Sequence, residues 1–226
     1  MQVVILAAGN GKRMGNLTKK VPKPMLKIKG KPILEHKINA LPKEVDEVIF
    51  VIGYQGEQIM NYFKKSFFGK KIQYFFQKEL NGTGGALHLV KSVLNDRFLV
   101  MMGDDLYHKK DVRRIMKHEL AVLAHAVDNP GNFGVLKVNR KGYLVDIVEN
   151  PKNSKNHLVN AALYSLNKKF FKYDLVSIGQ GEFGLPQTLV KMTDKYRIKV
   201  EKATLWHPIG FPEDLKKAEE IIHKFS

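Results

Sequence analysis

An α/β fold with a doubly wound, mostly parallel central sheet is predicted by three features of the 226-residue chain. Short unbroken apolar runs recur through its first half, amphipathic segments of helical length separate them, and several of the runs end in glycine. A strand buried on both faces needs an unbroken apolar run, and alternation with helices makes the crossovers parallel. "QVVILAA" (2–8) reads as the first strand, and Pro32 opens a helix through about Ala40, proline being tolerated in a first turn. "DEVIFVIG" (46–53) is a second strand closed by Gly53, and "GEQIMNYFKKSF" (56–67) a second helix. "KIQYFFQ" (71–77) is a third strand, "GGALHLVKSVL" (84–94) a helix with Thr83 as its candidate N-cap, and "RFLVMMG" (97–103) a fourth strand.

Past residue 118 the rhythm changes. "ELAVLAHAV" (119–127), "GVLKVN" (134–139), "YLVDIVE" (143–149) and "LVNAALYSL" (158–166) follow one another, with "RKG" (140–142) as a hairpin turn. "FPEDLKKAEEIIHKFS" (211–226) closes the chain as an amphipathic helix. With no repeat, low-complexity tract or linker, residues 1–226 are expected to form one domain whose halves, 1–118 and 119–226, share a sheet.

The hydrophobic fraction of 44% and charged fraction of 27% are those of a soluble globule. Zero cysteines exclude disulfides, thiol nucleophiles and cysteine-held metals. The sequence offers neither a basic leader nor a long apolar span, so a cytoplasmic protein without membrane partner is expected. The net charge of +16 points to anions, but the lysines are scattered rather than gathered in a stripe. A solvated surface with a phosphate-rich ligand is therefore expected in preference to nucleic acid, and a homo-oligomer is left open.

The first strand runs into "GNGKRMGNLTKKVPKP" (9–24). A dinucleotide fingerprint fails here, because the third glycine falls at Met14 and Gly15 is one place late. A Walker loop fails on spacing and on its Ser/Thr. A phosphate cradle fits: glycines expose backbone N–H groups, Arg13 can fork two phosphate oxygens, and Lys23 is a point charge framed by Pro22 and Pro24.

"LAAGNGKRM…LTKKVPKPML" resembles the signature of the sugar-1-phosphate nucleotidyltransferases. The likeness continues in order through "GKPILEH", "QKELNGTGGAL", "GDD", "FGVL…IVENP", "LVNAALY" and "WHPIGFPEDL". It implies a three-layer, Rossmann-like nucleotidyltransferase domain with a mostly parallel central sheet, Mg²⁺-dependent, that joins a nucleoside triphosphate to a sugar 1-phosphate and releases pyrophosphate. The first half would bind nucleotide and the second sugar phosphate. The acyltransferase β-helix that many full-length relatives append is not expected within these residues.

Carried over residue by residue, the resemblance sets the backbone of Leu6, Ala7, Ala8 and Gly9 against the nucleoside. Gly11 and Arg13 would hold the β- and γ-phosphates, and Lys23 the α-phosphate and incoming sugar phosphate. Lys12 replaces the usual Thr or Ser. Gln77 is expected to read the imide edge of uracil or thymine, a carboxamide being both donor and acceptor, with Gly82 and Thr83 beside the base. Asp104 would hold Mg²⁺, while Asp105 would at most cap the following turn. Gly134, Glu149 and Asn160 are the sugar candidates. Asn150 stands where many relatives have lysine, and Lys152 or Lys202 could supply that charge. Pro208 replaces a second metal-binding aspartate, leaving His207 a poor substitute. Beside a UTP- or dTTP-using enzyme, three alternatives stay open: a cytidylyltransferase acting on phosphocholine or inositol phosphate, a mannose-1-phosphate guanylyltransferase, and an inactive nucleotide-sugar sensor.

Overall fold

Four parallel strands set the frame. In the computed structural model, which describes residues 1–131, 133–149, 151 and 157–225, these are β1 (Gln2–Ala7), β4 (Glu47–Ile52), β6 (Lys70–Phe76) and β7 (Arg97–Met102). They lie parallel in the order β7-β1-β4-β6. Three of them, β7, β1 and β4, are buried on both faces, and the fourth, β6, is partly open to solvent. Between β1 and β4 come the short hairpin β2 (Lys27–Ile28) and β3 (Lys31–Pro32) and helix α1 (Ile33–Asn39). Helix α2 (Gly56–Phe63) and the two-residue edge strand β5 (Ser66–Phe67) precede β6. Helix α3 (Gly82–Leu89) leads to β7.

Alternation along each strand divides the core into two layers. Val3, Ile5 and Ala7 of β1 face one core with Leu34 and Ile38 of α1 and Ile59 and Phe63 of α2. Val4 faces the other, with Ala86 and Leu87 of α3. The same split divides Phe50 from Val51 in β4 and Met101 from Val100 in β7. Side chains of a strand alternate between faces, so a fully apolar run can exist only when helices cover both sides.

The second half extends this sheet. Short strand β8 (Asp105–Tyr107), helix α4 (Lys109–Ile115) and β9 (Ala121–Ala126) are followed by β10 (Gly134–Val138), β11 (Leu144–Glu149) and β12 (Leu158–Asn167). β12 pairs antiparallel with β7 and β9, so strand pairing runs without a break from one half into the other. β10 and β11 form the hairpin expected at 140–142, closed by Gly142 at φ +79°. A second hairpin, β13 (Val176–Gly179) and β14 (Glu182–Gly184), leads into α5 (Leu185–Lys191). β15 (Lys199–Lys202) joins β9 in parallel, β16 (Trp206–Pro208) pairs with β8, and α6 (Pro212–Ile221) ends in a 3₁₀ turn.

Two expectations are corrected. The second helix stops at Phe63, because Lys64 takes φ +53° and the chain turns back to pair β5 with β6. The third helix starts at Gly82 after Asn81, and Thr83 is not its cap; its hydroxyl instead accepts from the Leu185 N–H at 3.0 Å. The hairpin β13–β14, α5 and β15 are not evident from hydrophobic patterning. Asn150 and Lys152 lie outside the described residues.

Gly82 joins the two halves. It sits at φ +83°, and a Cβ there would lie 2.4 Å from the Phe183 carbonyl oxygen, while Phe183 N–H donates to the Asn81 carbonyl at 2.9 Å. Gly82→Ala is expected to destabilise the protein by about 2 kcal/mol or more, through combined backbone strain and overlap. Urea unfolding that leaves the midpoint unchanged would show that the hairpin yields freely.

Candidate functional site

The strand order makes β1 a switch point, because the chain leaves it to one side for β4 and returns on the other with β7. Open α/β sheets bind ligands in the crevice at the carboxyl ends of such strands. Here that crevice is a cleft of about 520 Å³. Leu6, Ala7, Ala8, Gly9, Gly11 and Arg13 line one wall, Gln77, Gly82 and Thr83 another, with Lys23 and Asp104 between them.

Local packing explains how the loop after β1 presents its cations. Gly11 is left-handed, at φ +63°, and a Cβ on it would press the Lys23 Cβ at 3.0 Å and the Thr18 methyl at 3.1 Å. Thr18 Oγ1 donates to the Gly11 carbonyl at 3.0 Å, and Met14 is buried in a third core with Leu26, Ile28 and Leu106. Pinned by Met14, the 3₁₀ turn leaves its neighbour Arg13 exposed, its guanidinium 5.4 Å from the centre of the Phe211 ring. A Cβ on Gly9 would meet nothing within 4 Å, so the floor of the cradle stays open to a ligand.

Lys23 is only 6% exposed, and its Nζ donates to Asp104 Oδ2 at 2.5 Å. The ammonium carries three N–H groups, so this bond leaves further donors for an anion. The Asp104 carboxylate is half-buried. Gly103 N–H donates to the Leu6 carbonyl at 2.8 Å, which sets the ends of β7 and β1 side by side.

Gln77 is differently placed from the expectation that it both gives and accepts at a base. Its Nε2 donates to Asn81 Oδ1 at 2.8 Å and to the Gly82 carbonyl at 3.1 Å. Oε1 is the part of the amide left to face a ligand.

The sugar candidates do not line the 520 Å³ cleft. Gly134 and Glu149 pair across β10 and β11, and a Cβ on Gly134 would lie 2.9 Å from Glu149 Oε1. Desolvation raises the Glu149 carboxyl above its ordinary range, against the pull of Gln187 Nε2 at 3.2 Å. Asn160 Nδ2 donates to the Tyr164 hydroxyl at 2.7 Å, and its Oδ1 accepts from Ala162 N–H at 2.9 Å.

Sequence reading missed the role of Asp105. It is buried rather than capping a turn, and its Oδ2 accepts from Trp206 Nε1 at 3.1 Å and from the Tyr107 hydroxyl at 3.2 Å. Burial first, then the neighbouring Asp104 charge, pushes its pKa up to about 7. Lys37 lies beneath, buried, donating to the Asp105 carbonyl, and desolvation lowers its pKa to about 8. The two adjacent aspartates point to different environments, which no spacing rule reveals.

For Mg²⁺ the donor set decides. Among the described residues no group of three or more His, Asp or Glu gathers to hold a metal. Pro208 pairs with Asp105 and offers no ligand, His207 Nε2 is bonded to the Asp214 carbonyl at 2.7 Å, and Asp214 Oδ2 accepts from Gly210 and Phe211 N–H. One half-buried hard oxygen donor, Asp104, beside the open glycine loop fits an ion that keeps waters and phosphate ligands.

The nucleotidyl transferase family model matches residues 2–224. The chain belongs to this family. The bifunctional protein GlmU of Methanocaldococcus jannaschii is 34% identical over 98% of this chain and 54% of its own length. The chain therefore spans about half the length of the curated relatives it matches first. The UTP–glucose-1-phosphate uridylyltransferase AglF of Haloferax volcanii is 29% identical over 99% of this chain and 97% of its own. A UDP-glucose pyrophosphorylase solved with UDP-glucose shares the fold at a TM-score of 0.84 and 21% identity, covering 99% of this chain and 98% of that one. Among the described residues no helix is long and apolar enough to cross a membrane.

The Asp105 shift fixes a pH dependence. Its folded pKa of about 7 exceeds the ordinary 3.8, so the folded state binds the extra proton between these values. Its contribution to stability is present below about pH 4 and is lost as pH rises through 7. The stability difference between the native protein and Asp105→Asn should therefore shrink or reverse from pH 4 to pH 7.5, followed by thermal unfolding at each pH. A flat difference would mean that the carboxyl is ionised throughout.

Proposed function

We propose that this nucleotidyl transferase joins a nucleoside triphosphate, UTP or dTTP in preference, to a sugar 1-phosphate and releases pyrophosphate. The observation that carries the reading is the Lys23–Asp104 pair, seated at the switch point beside an open glycine cradle. The sugar phosphate oxygen attacks the α-phosphorus in line and pyrophosphate leaves from the opposite side. The nucleophile is already an anion, so no covalent intermediate or general base is required.

The protein's part is positioning and charge neutralisation. Arg13 and the loop N–H groups receive the β- and γ-phosphates. Lys23 donates to oxygens of the α-phosphate, with Asp104 as its partner before substrate arrives. Asp104 would also hold Mg²⁺, which when bound supplies positive charge at the phosphate oxygens. Glu149, Gly134 and Asn160 form the sugar side, with Lys202 on β15 as an additional cation in the second half. The test of the whole reading is pyrophosphate release measured across a matrix of UTP, dTTP, CTP, GTP and ATP against sugar 1-phosphates, phosphocholine and inositol phosphate. Turnover confined to CTP with an alcohol phosphate, or none at all, would remove it.

Lys23→Ala and Arg13→Ala are each expected to lower kcat/KM by roughly 10²–10⁴, or about 3–5 kcal/mol of transition-state stabilisation. Asp104→Asn should nearly abolish turnover, whereas His207→Ala should be mild. Near-native turnover by Lys23→Ala would show that the reaction centre lies elsewhere.

Base choice rests on Gln77. With Nε2 committed to Asn81 and Gly82, Oε1 accepts from the N3–H of uracil or thymine. Gln77→Glu should raise KM for UTP and dTTP, since a carboxylate sets its oxygens against Asn81 Oδ1 and the Gly82 carbonyl and opens the loop. A native preference for GTP in the matrix would refute this assignment.

A further inference from the structure

One hydroxyl touches both halves of the candidate site. The Tyr107 hydroxyl lies 3.2 Å from Asp105 Oδ2, 2.9 Å from the Ala161 carbonyl and 3.2 Å from the Ala162 carbonyl. The first acceptor belongs to the residue next to Asp104. The other two belong to a bulge of β12, where the register against β9 shifts between Asn160 and Tyr164.

That bulge needs holding. Ala162 sits at φ +52°, a left-handed conformation that a residue with a Cβ rarely takes. Asn160 Oδ1 secures it from one side, through the Ala162 N–H, and Tyr107 from the other. Asn160, the amide nominated for the sugar, is thus oriented by the same loop that Tyr107 clamps.

The turn carrying Asp104 is held as firmly from behind. Trp206 Nε1 donates to the same Asp105 oxygen, Lys37 donates to the Asp105 carbonyl, and the Lys37 ammonium lies 4.5 Å from the centre of the Tyr107 ring. Donors from α1, β8 and β16 therefore converge on Asp105, the first residue of β8, next to Asp104. All of these side chains are buried, and none of Lys37, Asp105, Tyr107 or Trp206 lines the nucleotide cleft.

We propose that Tyr107 is a positioning residue that sets the acceptor-side bulge at Asn160–Ala162 in register with Asp104 and Lys23. It touches no substrate. Its hydroxyl fixes the distance between the sugar-binding amide and the ion pair at the reaction centre, so that the acceptor phosphate meets the α-phosphate in line. The inference rests on the nucleotidyl-transfer reading for what the acceptor is, and on geometry for the coupling.

The test is Tyr107→Phe, which keeps the ring and its contact with Lys37 and removes only the hydroxyl. KM for the sugar 1-phosphate should rise about tenfold, the worth of one buried hydrogen bond, with KM for the nucleoside triphosphate changing less than about twofold. Trp206→Phe removes a donor to the same Asp105 oxygen but none to β12. It should lower kcat without moving the acceptor KM. Equal changes in both KM values for Tyr107→Phe, or none beyond a lower Tm, would reduce Tyr107 to a packing residue.

Ala162→Gly supplies the control, because glycine takes φ +52° without strain. In the Tyr107→Phe background it should recover Tm and leave the acceptor KM raised. Recovery of both would overturn the proposal. Trp206 is the chain's single tryptophan, so its emission reports the network without turnover. Titration with the sugar 1-phosphates of the pyrophosphate matrix should, for at least one of them, shift that emission in the native protein and not in Tyr107→Phe, while UTP should act alike on both. No native response to any of them would overturn the coupling, even if the pyrophosphate assay succeeds. A native response without pyrophosphate release would instead fault the proposed reaction.

Discussion

The contact between Lys23 and Asp104 is the point on which the rest of the structure converges. The two residues are 81 apart in sequence and meet at 2.5 Å, one from a proline-framed turn and the other from the turn after β7. A lysine only 6% exposed would be an uncompensated charge without such a partner. The surrounding backbone makes the meeting possible. Gly11 leaves room for the Lys23 side chain, Met14 anchors the intervening loop in its own core, and Gly103 bonds to Leu6 so that β7 ends beside β1. Removing either charge leaves the other stranded, and so the pair holds the cleft's shape as well as its chemistry.

Asp104 and Asp105 show how one backbone turn separates two tasks. Consecutive residues entering a strand send their side chains to opposite sides. Asp104 therefore reaches the cleft, half-buried and ion-paired, while Asp105 goes inward to Trp206 and Tyr107. The inner carboxyl is held near neutrality by burial, which spares the interior a second negative charge beside the first. Lys37, buried and with its pKa lowered to about 8 by desolvation, meets the Asp105 backbone rather than competing for Asp104. The outer carboxylate is thereby left to meet Lys23 in the cleft.

The elements legible in the sequence are those whose pattern is set by burial alone. β1, β4 and β7 are apolar at almost every position because helices cover both faces, and no other local environment asks for that. The place of the glycine loop was legible because it is local: Gly9, Gly11, Arg13 and Lys23 all lie within one connection and line one cleft. The hairpin β13–β14 was not. "VSIG" and "EFG" carry little apolar signal, and their place is decided by Gly82 and Phe183 meeting across about a hundred residues. Nor could sequence show that the Thr83 hydroxyl serves Leu185 instead of its own helix, or that Lys64 adopts φ +53° and ends α2 four residues early. Asp105 escaped for the same reason, its partners Trp206 and Tyr107 being joined only by the β8–β16 pairing.

In the proposed reading, base selection follows from a group that is already half used. A free carboxamide offers a base both a donor and an acceptor and so discriminates weakly, since it can turn over to suit either pattern. Gln77 cannot turn over without giving up both Asn81 Oδ1 and the Gly82 carbonyl, and leaving those acceptors facing its oxygen. The loop thus fixes which end of the amide faces the cleft. In the proposed reading, a uracil or thymine ring meets that oxygen with N3–H, while a cytosine in the same pose meets it with a lone pair. Specificity then comes from the rigidity of the Gln77–Asn81–Gly82 turn, and that rigidity comes in turn from Gly82, which packs against Phe183 where no other residue fits.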